Sequence, residues 1–185
     1  MKGNPGGNKV SVTNNGQSGK DNLVIREART DELDEVSLVI RDAYLEYEDY
    51  FPPEQWKLYL ENIMDVRSRL SVSKLIVAEL NGRLAGAVTL YLDGSLSQEQ
   101  WPSGWAGIRL LAVHPTYRGR GISRALMEEC IRRCRKQNIK TIALHTAMIM
   151  NVARKMYERM GFVRVTKFDF HPRPGTIVMA YRLRL

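Results

Sequence analysis

The stretch 108–123, IRLLAVHPTYRGRGIS, combines residue types and spacings that suit the binding of phosphate groups. An apolar run of strand type ends at Pro115, because proline cannot donate to a sheet ladder and restricts the residue before it. The RGRG sequence at 118–121 then opens a segment with the apolar spacing of a helix. Glycine permits a tight turn and close backbone approach, so the free N–H groups of the first helical turn can converge on an anion. The arginines add fixed positive charge.

A second stretch whose residues could take part in a reaction is 151–162, NVARKMYERMGF. At helical spacing, Asn151, Arg154 and Glu158 lie near one another on one side, while Tyr157 belongs to the apolar side and faces the interior. An inward tyrosine hydroxyl either bonds a backbone carbonyl or donates a proton in a reaction, and its spacing alone leaves both roles open. The apolar side consists of Ala153, Met156, Tyr157 and Met160.

Both stretches resemble signatures of the GNAT superfamily of N-acetyltransferases. The first fits L-x-V-x-P-x-[YW]-[RQ]-x-x-G-x-[GA], except that Ser123 replaces the usual Gly or Ala, and a serine suits a helix N-terminus. The second places Tyr157, Glu158, Gly161 and Phe162 at the spacing of the family's second motif. The resemblance implies that acetyl-CoA is bound by Leu111, Ala112, Val113, Arg118, Gly119, Arg120, Gly121, Ile122, Ser123, Asn151 and Tyr157.

The resemblance also implies roles in acetyl transfer to an amine. A backbone N–H in the strand 111–113 would polarise the thioester carbonyl, and Tyr157 would be the acid that assists the departing thiolate. Many relatives have a Glu base four residues before the Leu of the first motif, and this chain has Gly107 there. His145 on a later strand, one of the acidic residues in 46–49, or water could replace that base, and the residues alone do not rank them.

Hydrophobic spacing and turn residues predict seven strands and four helices. Strands are expected at 23–28, 75–80, 83–92, 108–113, 139–147, 162–170 and 176–183, with a hairpin turn at Asn81-Gly82. Helices are expected after an N-cap at Thr30, at about 53–69, after Gly121, and at 151–160. The polar segment 93–104 is expected to be a surface loop. This order predicts an α/β (α+β) fold, a mixed and mostly antiparallel central sheet flanked by helices, as in the GNAT-like acyl-CoA N-acyltransferase fold.

Composition predicts one domain after a flexible tail. The length of 185 residues and the 44% hydrophobic content suit one globular core, whereas 1–21 are rich in Gly, Asn and Ser and show no apolar periodicity. We therefore expect a tail at 1–21 and a single domain at 22–185, as a monomer or homodimer. The lack of a secretory or membrane-spanning pattern predicts a cytoplasmic protein with no membrane partner. Two cysteines one helical turn apart, Cys130 and Cys134, predict buried thiols and no metal site.

The formal net charge of +8 raises the alternative of a nucleic-acid-binding module. Many of the basic residues lie on or beside the helix after Gly121, where the phosphates of coenzyme A would also attract them, and no nucleic-acid motif is visible. We therefore expect no nucleic-acid partner. A second alternative is a catalytically silent acyl-CoA sensor, which Gly107 permits. If the chain is an enzyme, the acidic and aromatic run 46–51, EYEDYF, predicts an amine acceptor of cationic character.

Overall fold

The structure, a computed structural model, describes residues 21–99, 101–173 and 175–185. The predicted tail, apart from Asp21, lies outside the described residues. The strands are β1 (Leu23–Glu27), β2 (Lys74–Leu80), β3 (Arg83–Tyr91), β4 (Trp105–Val113), β5 (Thr141–Ala147), β6 (Val163–Arg164) and β7 (Val178–Arg184). The helices are α1 (Leu33–Tyr44), α2 (Pro53–Met64), α3 (Ile122–Lys136) and α4 (Asn151–Arg159).

The strands form one mixed sheet in the order β1-β2-β3-β4-β5-β7-β6. Only β4 and β5 run parallel among the described pairs, which confirms the predicted mixed and mostly antiparallel sheet. The β2–β3 hairpin turns at Asn81 and Gly82, both of which have positive φ, as a two-residue hairpin turn of this type requires. Helix α3 connects the two parallel strands, because a parallel connection needs a crossover.

Helices cover the sheet on both faces and divide the core into two main clusters. On one face α1 and α2 pack against β2, β3 and β4 through residues such as Leu33, Ile40 and Trp56. On the other face α3 packs through Ile122 and Leu126, together with Tyr157 of α4. Burial on both faces explains why β3 is almost continuously apolar and shows little alternation. None of the helices in the described ranges has the length and apolar character needed to span a membrane.

Several predicted boundaries were wrong. Thr30 is not the N-cap, because 30–32 form a 3-10 turn in which Glu32 Oε1 accepts from the Arg29 N–H at 2.9 Å. Helix α2 ends at Met64, and Arg69 instead donates to backbone carbonyls at that end. The strand expected at 162–170 is only two residues long, since a 3-10 turn at Thr166–Phe168 interrupts it.

The segment 93–104 also differs from the expected surface loop. Its Trp101 is 2% exposed and packs over Gly107, Ala143 and Ala180 on β4, β5 and β7. Three small residues on neighbouring strands leave a depression that admits the indole ring. Trp101 thereby anchors the loop against the sheet. Trp101 therefore belongs to the core, whereas Asp93, Ser95, Leu96, Gln98, Ser103 and Gly104 are exposed, as expected of a surface loop.

Candidate active site

A cleft of about 1280 Å³ opens where β4 and β5 separate. The two strands pair from Trp105↔Thr141 to Ile108↔Leu144, after which β5 continues to pair only with β7. The edge of β4 beyond Ile108 therefore faces the cleft, with backbone groups that β5 does not pair. Such an edge offers hydrogen bonds to an extended ligand.

A β-bulge marks the point of separation. Between the pairs Ala87↔Ala112 and Thr89↔Arg109, β4 contains one residue more than β3, and Leu110 has φ of 53°. A bulge bends its strand and increases the local twist, which directs the end of β4 away from β5. Sequence reasoning missed the bulge because leucine has no preference for the left-handed region.

The glycine-rich turn lies at one end of the cleft. Gly119 and Gly121 have φ of +78° and +75°, and a Cβ on either would meet open space. The first hydrogen bond of α3 runs from the Ala125 N–H to the Gly121 carbonyl, so the N–H groups of the preceding helical residues lack a carbonyl partner within the helix. An anion can occupy this space and accept from those groups. The turn therefore fits a phosphate group.

The two arginines of this turn have other partners. The Arg118 guanidinium donates to both carboxylate oxygens of Glu46, at 3.0 and 2.9 Å, and to the Ala43 carbonyl at 3.0 Å. It thereby fastens the end of α1 to the turn while its side chain borders the cleft. Arg120 forms an ion pair with Asp21 at 3.2 Å and lies outside the cleft lining. The other residues predicted to bind the cofactor all line the cleft.

Tyr157 lies in the cleft wall and is 5% exposed. Its ring packs against Phe162, with centroids 5.9 Å apart, and burial raises the pKa of its hydroxyl well above the ordinary value of 10. The hydroxyl therefore stays protonated in neutral and mildly alkaline solution. No hydrogen bond joins it to another residue in the described ranges, so it is free to donate to a ligand in the cleft.

A group of aromatic side chains also lines the cleft. Tyr44, Tyr47, Phe51 and Tyr59 contact one another in a continuous group, and Phe51 stacks on Tyr59 with centroids 5.1 Å apart. Arg173, from the loop before β7, lies 4.9 Å above the Phe51 ring and donates to the Tyr50 carbonyl. Four residues of the run 46–51 therefore line the cleft: Glu46, Tyr47, Tyr50 and Phe51.

The candidate bases lie in different surroundings. Glu46 is paired with Arg118, whereas Glu48 and Asp49 are exposed and outside the cleft lining. The side chain of His145 borders the cleft and is 6% exposed. Glu99 also lines the cleft, and sequence reasoning missed it because 93–104 lacks the periodicity of a strand or helix.

Two other groups of residues from the sequence analysis have structural partners. Cys130 and Cys134 are buried and free, and burial raises the pKa of the Cys134 thiol to about 12, so neither is an effective nucleophile near neutral pH.

On α3, Arg132 and Arg133 pair with Glu129. These pairs neutralise part of the basic surface. No group of three or more His, Cys, Asp or Glu suited to a metal ion occurs within 21–99, 101–173 and 175–185.

Comparison with known proteins identifies relatives of both the sequence and the fold. "Probable N-acetyltransferase family 8 member 5" of Mus musculus is 34% identical over 95 residues, covering 50% of this chain and 40% of that protein. N-alpha-acetyltransferase 30 of Saccharomyces cerevisiae is 38% identical over 60 residues, covering 32% of this chain and 34% of that protein. The chain thus spans well under half the length of these relatives.

Solved structures share the fold at lower identity. The PaiA N-acetyltransferase of Thermoplasma acidophilum, in complex with coenzyme A, superposes with a TM-score of 0.68 at 17% identity and covers 88% of this chain and 99% of its own. The family model described as "Acetyltransferase (GNAT) family" matches residues 37–162, which include β4, the glycine-rich turn and Tyr157. With that match over more than half its length, the chain belongs to the GNAT family of acetyltransferases.

Proposed function

We propose that this protein is an N-acetyltransferase that transfers the acetyl group of acetyl-CoA to a primary amine. One observation carries the proposal: a single cleft joins the glycine-rich turn, the open edge of β4 and the buried hydroxyl of Tyr157. Family membership supports the same reaction class.

The described residues fit acetyl-CoA as a co-substrate. Its pyrophosphate suits the N–H groups at the start of α3, where the glycines leave room for close approach. Its pantetheine arm contains amide groups that can pair with the free edge of β4 at Leu111–Val113. Arg120 is not needed in this arrangement, since it pairs with Asp21 instead.

The chain supplies two groups to the chemistry. A backbone N–H of the open β4 edge donates to the thioester carbonyl oxygen, which gains negative charge as the amine attacks. Tyr157 then donates a hydrogen bond to the departing sulfur. Because burial raises the tyrosine pKa further above that of a thiol, hydrogen-bond donation is favoured over full proton transfer.

The acceptor amine enters along the aromatic wall. Tyr47, Phe51 and Tyr59 offer apolar surface for its carbon skeleton. The exposed carboxylates of Glu48 and Asp49 lie outside the cleft lining, but they are adjacent in sequence to its residues Tyr47 and Tyr50 and favour a positive charge. Glu46 contributes less to this attraction, because Arg118 neutralises it. We therefore place lysine-containing peptides, polyamines and aminoglycosides first among the acceptors.

Two measurements on the same preparation test the proposal. Saturating acetyl-CoA should raise the melting temperature. At a concentration of 100 times the dissociation constant, the free energy of unfolding should increase by about 2.7 kcal/mol. A panel of cationic, neutral and anionic amines should then release free thiol from acetyl-CoA, with cationic amines fastest.

The outcomes separate the alternatives. No thermal shift with millimolar acetyl-CoA contradicts the cofactor assignment. A thermal shift without thiol release from any amine supports the silent sensor instead. Faster release with anionic amines contradicts only the cationic acceptor.

A further inference from the structure

Gly107 cannot be replaced by the carboxylate that the family resemblance would lead one to expect. A Cβ at this position would lie 2.8 Å from Trp101 Cδ1 and 3.2 Å from its Nε1, closer than side-chain carbons pack. The indole ring of Trp101 occupies the space that a side chain at position 107 would need. Position 107 therefore has no room for a carboxylate, and a proton acceptor for the cleft must come from another position.

The loop that brings in Trp101 also brings in a carboxylate. Trp101 Nε1 donates to Glu99 Oε2 at 3.0 Å. The indole ring that fills the space at Gly107 thus also holds the Glu99 carboxylate. Arg109 Nε is 3.4 Å from Glu99 Oε1, and each of these two side chains is 14% exposed. Glu99 borders the same cleft as Tyr59 and Tyr157. The carboxylate is thus held in place and still accessible.

His145 places a second basic atom beside Glu99. Its Nε2 is 2.9 Å from the Phe168 carbonyl, which can only accept, so Nε2 bears a hydrogen. Its Nδ1 is 3.3 Å from Glu99 Oε2 but makes no aligned hydrogen bond within the described residues. The ring is fixed by stacking on Trp101, with centroids 4.4 Å apart.

The Glu99 carboxylate has a fixed set of neighbours. Trp101 Nε1 donates to it, and Arg109 Nε and His145 Nδ1 lie within 3.4 Å of its oxygens. A carboxylate held at the cleft in this way can accept a proton from a bound ammonium group.

Assuming the proposed acetyl transfer, we infer that Glu99, oriented by Trp101 and flanked by His145, accepts the proton that the acceptor ammonium must lose before its nitrogen can attack. The free amine then forms the C–N bond and the C–S bond breaks. The second nitrogen proton passes to the leaving sulfur, which accepts a hydrogen bond from Tyr157. Glu99 returns its proton to solvent. The products are the N-acetyl amine, free coenzyme A and one proton.

The test is Glu99→Gln, which keeps the size of the side chain and an acceptor for Trp101. At pH 7, kcat/KM for the best amine should fall about 100-fold, within the range of general base catalysis. The loss should shrink as the pH approaches the amine's own pKa, about 10 for a lysine side chain, because the amine is then already neutral. The thermal shift with acetyl-CoA should not change.

Controls separate this role from a structural one. Glu61→Gln removes an exposed carboxylate of α2 and should leave kcat/KM within twofold of wild type. Glu99→Asp keeps a carboxylate on a shorter arm and should retain more activity than Glu99→Gln. The pH profiles are compared with Arg109, His145, Tyr59 and Tyr157 intact, since these titratable groups on β4, β5, α2 and α4 share the cleft with Glu99.

Several results would overturn the inference. One is a Glu99→Gln enzyme with kcat/KM within twofold of wild type at pH 7. Another is a loss of equal size at every pH, which indicates a structural role. If Glu99→Gln does not fold, Glu99→Ala is measured in its place, and a Glu99→Ala enzyme with kcat/KM within twofold of wild type at pH 7 contradicts the inference. A wild-type protein that binds acetyl-CoA but acetylates no amine contradicts the proposed function itself.

Discussion

At the scale of single residues, burial determines the form in which Tyr157 acts. An exposed tyrosine would begin to ionise near pH 10, but burial raises the pKa of Tyr157 well beyond this value. The residue is therefore a hydrogen-bond donor throughout the range in which amines become reactive. In the mechanism that we propose, Glu99, beside Arg109 and His145, is the complementary proton acceptor.

Replacing Tyr157 with phenylalanine tests this donor role. The change removes one hydroxyl and keeps the ring that packs on Phe162, so kcat should fall while acetyl-CoA affinity stays nearly constant. A positioned acid is worth about 10² to 10⁴-fold, part of which water can recover in an open cleft. Single-turnover kinetics measures the chemical step separately from product release. An unchanged chemical rate would show that Tyr157 is only a packing residue.

Gly107 provides a second prediction at this scale. Gly107→Ala places a methyl group 2.8 Å from Trp101 Cδ1, and the indole is confined by Ala143 and Ala180. Overpacking of this kind costs about 1–3 kcal/mol of unfolding free energy, measured by urea denaturation. Unchanged stability would mean that the loop 93–104 is not packed as described.

At the scale of elements, the start of α3 is the part to which we assign the binding of the acyl-CoA phosphates. Gly121→Val should lower the melting temperature, since a branched residue is strained at φ of +75°, and should also abolish the thermal shift with acetyl-CoA. Gly104→Val is the matched control, because Gly104 has φ of +78° and open space but lies outside the cleft. It should lower the melting temperature and keep the shift. Equal loss of the thermal shift in both variants would contradict the assignment of phosphate binding to the glycine-rich turn.

Helix α3 also contains a pH-sensitive carboxylate. Hydrogen bonds from Arg132 and Arg133 lower the pKa of Glu129 from 4.5 to about 2, against the opposing effect of burial. Because the folded-state pKa is the lower one, this stabilisation is present above about pH 4.5 and is lost as the pH falls toward 2. Glu129→Gln should therefore be less stable than wild type at pH 6 and nearly equal to it at pH 2.

Urea denaturation across this range measures the difference. Glu128→Gln, on the same helix, removes only an exposed pair with Arg124 and should show a smaller effect at pH 6. A constant difference between Glu129→Gln and wild type at all pH values would contradict the assignment.

The predictable elements are those whose local signals agree with their tertiary surroundings. The turn at Asn81-Gly82 and the start of α3 follow from residues that tolerate positive φ, so both were visible in the sequence. The bulge at Leu110 was not visible, because pairing between strands imposes a conformation that leucine does not prefer. The short β6 ends at a 3-10 turn that no proline or glycine announces.

At the scale of the whole molecule, the same distinction applies to the cleft. The glycine-rich turn lies in one continuous stretch, and its motif could be recognised from spacing. Glu99, Trp101 and His145 meet only because Gly107, Ala143 and Ala180 lie side by side on three strands that are distant in sequence. Contacts between side chains that are distant in sequence leave no regular spacing, so they cannot be predicted from the sequence pattern.

The central claim is that the cleft joins acetyl-CoA to an amine. Mass spectrometry of the acceptor after incubation with acetyl-CoA and the wild-type protein tests it most directly, in parallel with Tyr157→Phe and a sample without protein. We expect an acetyl group on the amine nitrogen, formed in proportion to wild-type concentration and much more slowly with Tyr157→Phe. Acetyl-CoA that binds but leaves every amine of the panel unmodified beyond the protein-free rate would contradict the claim.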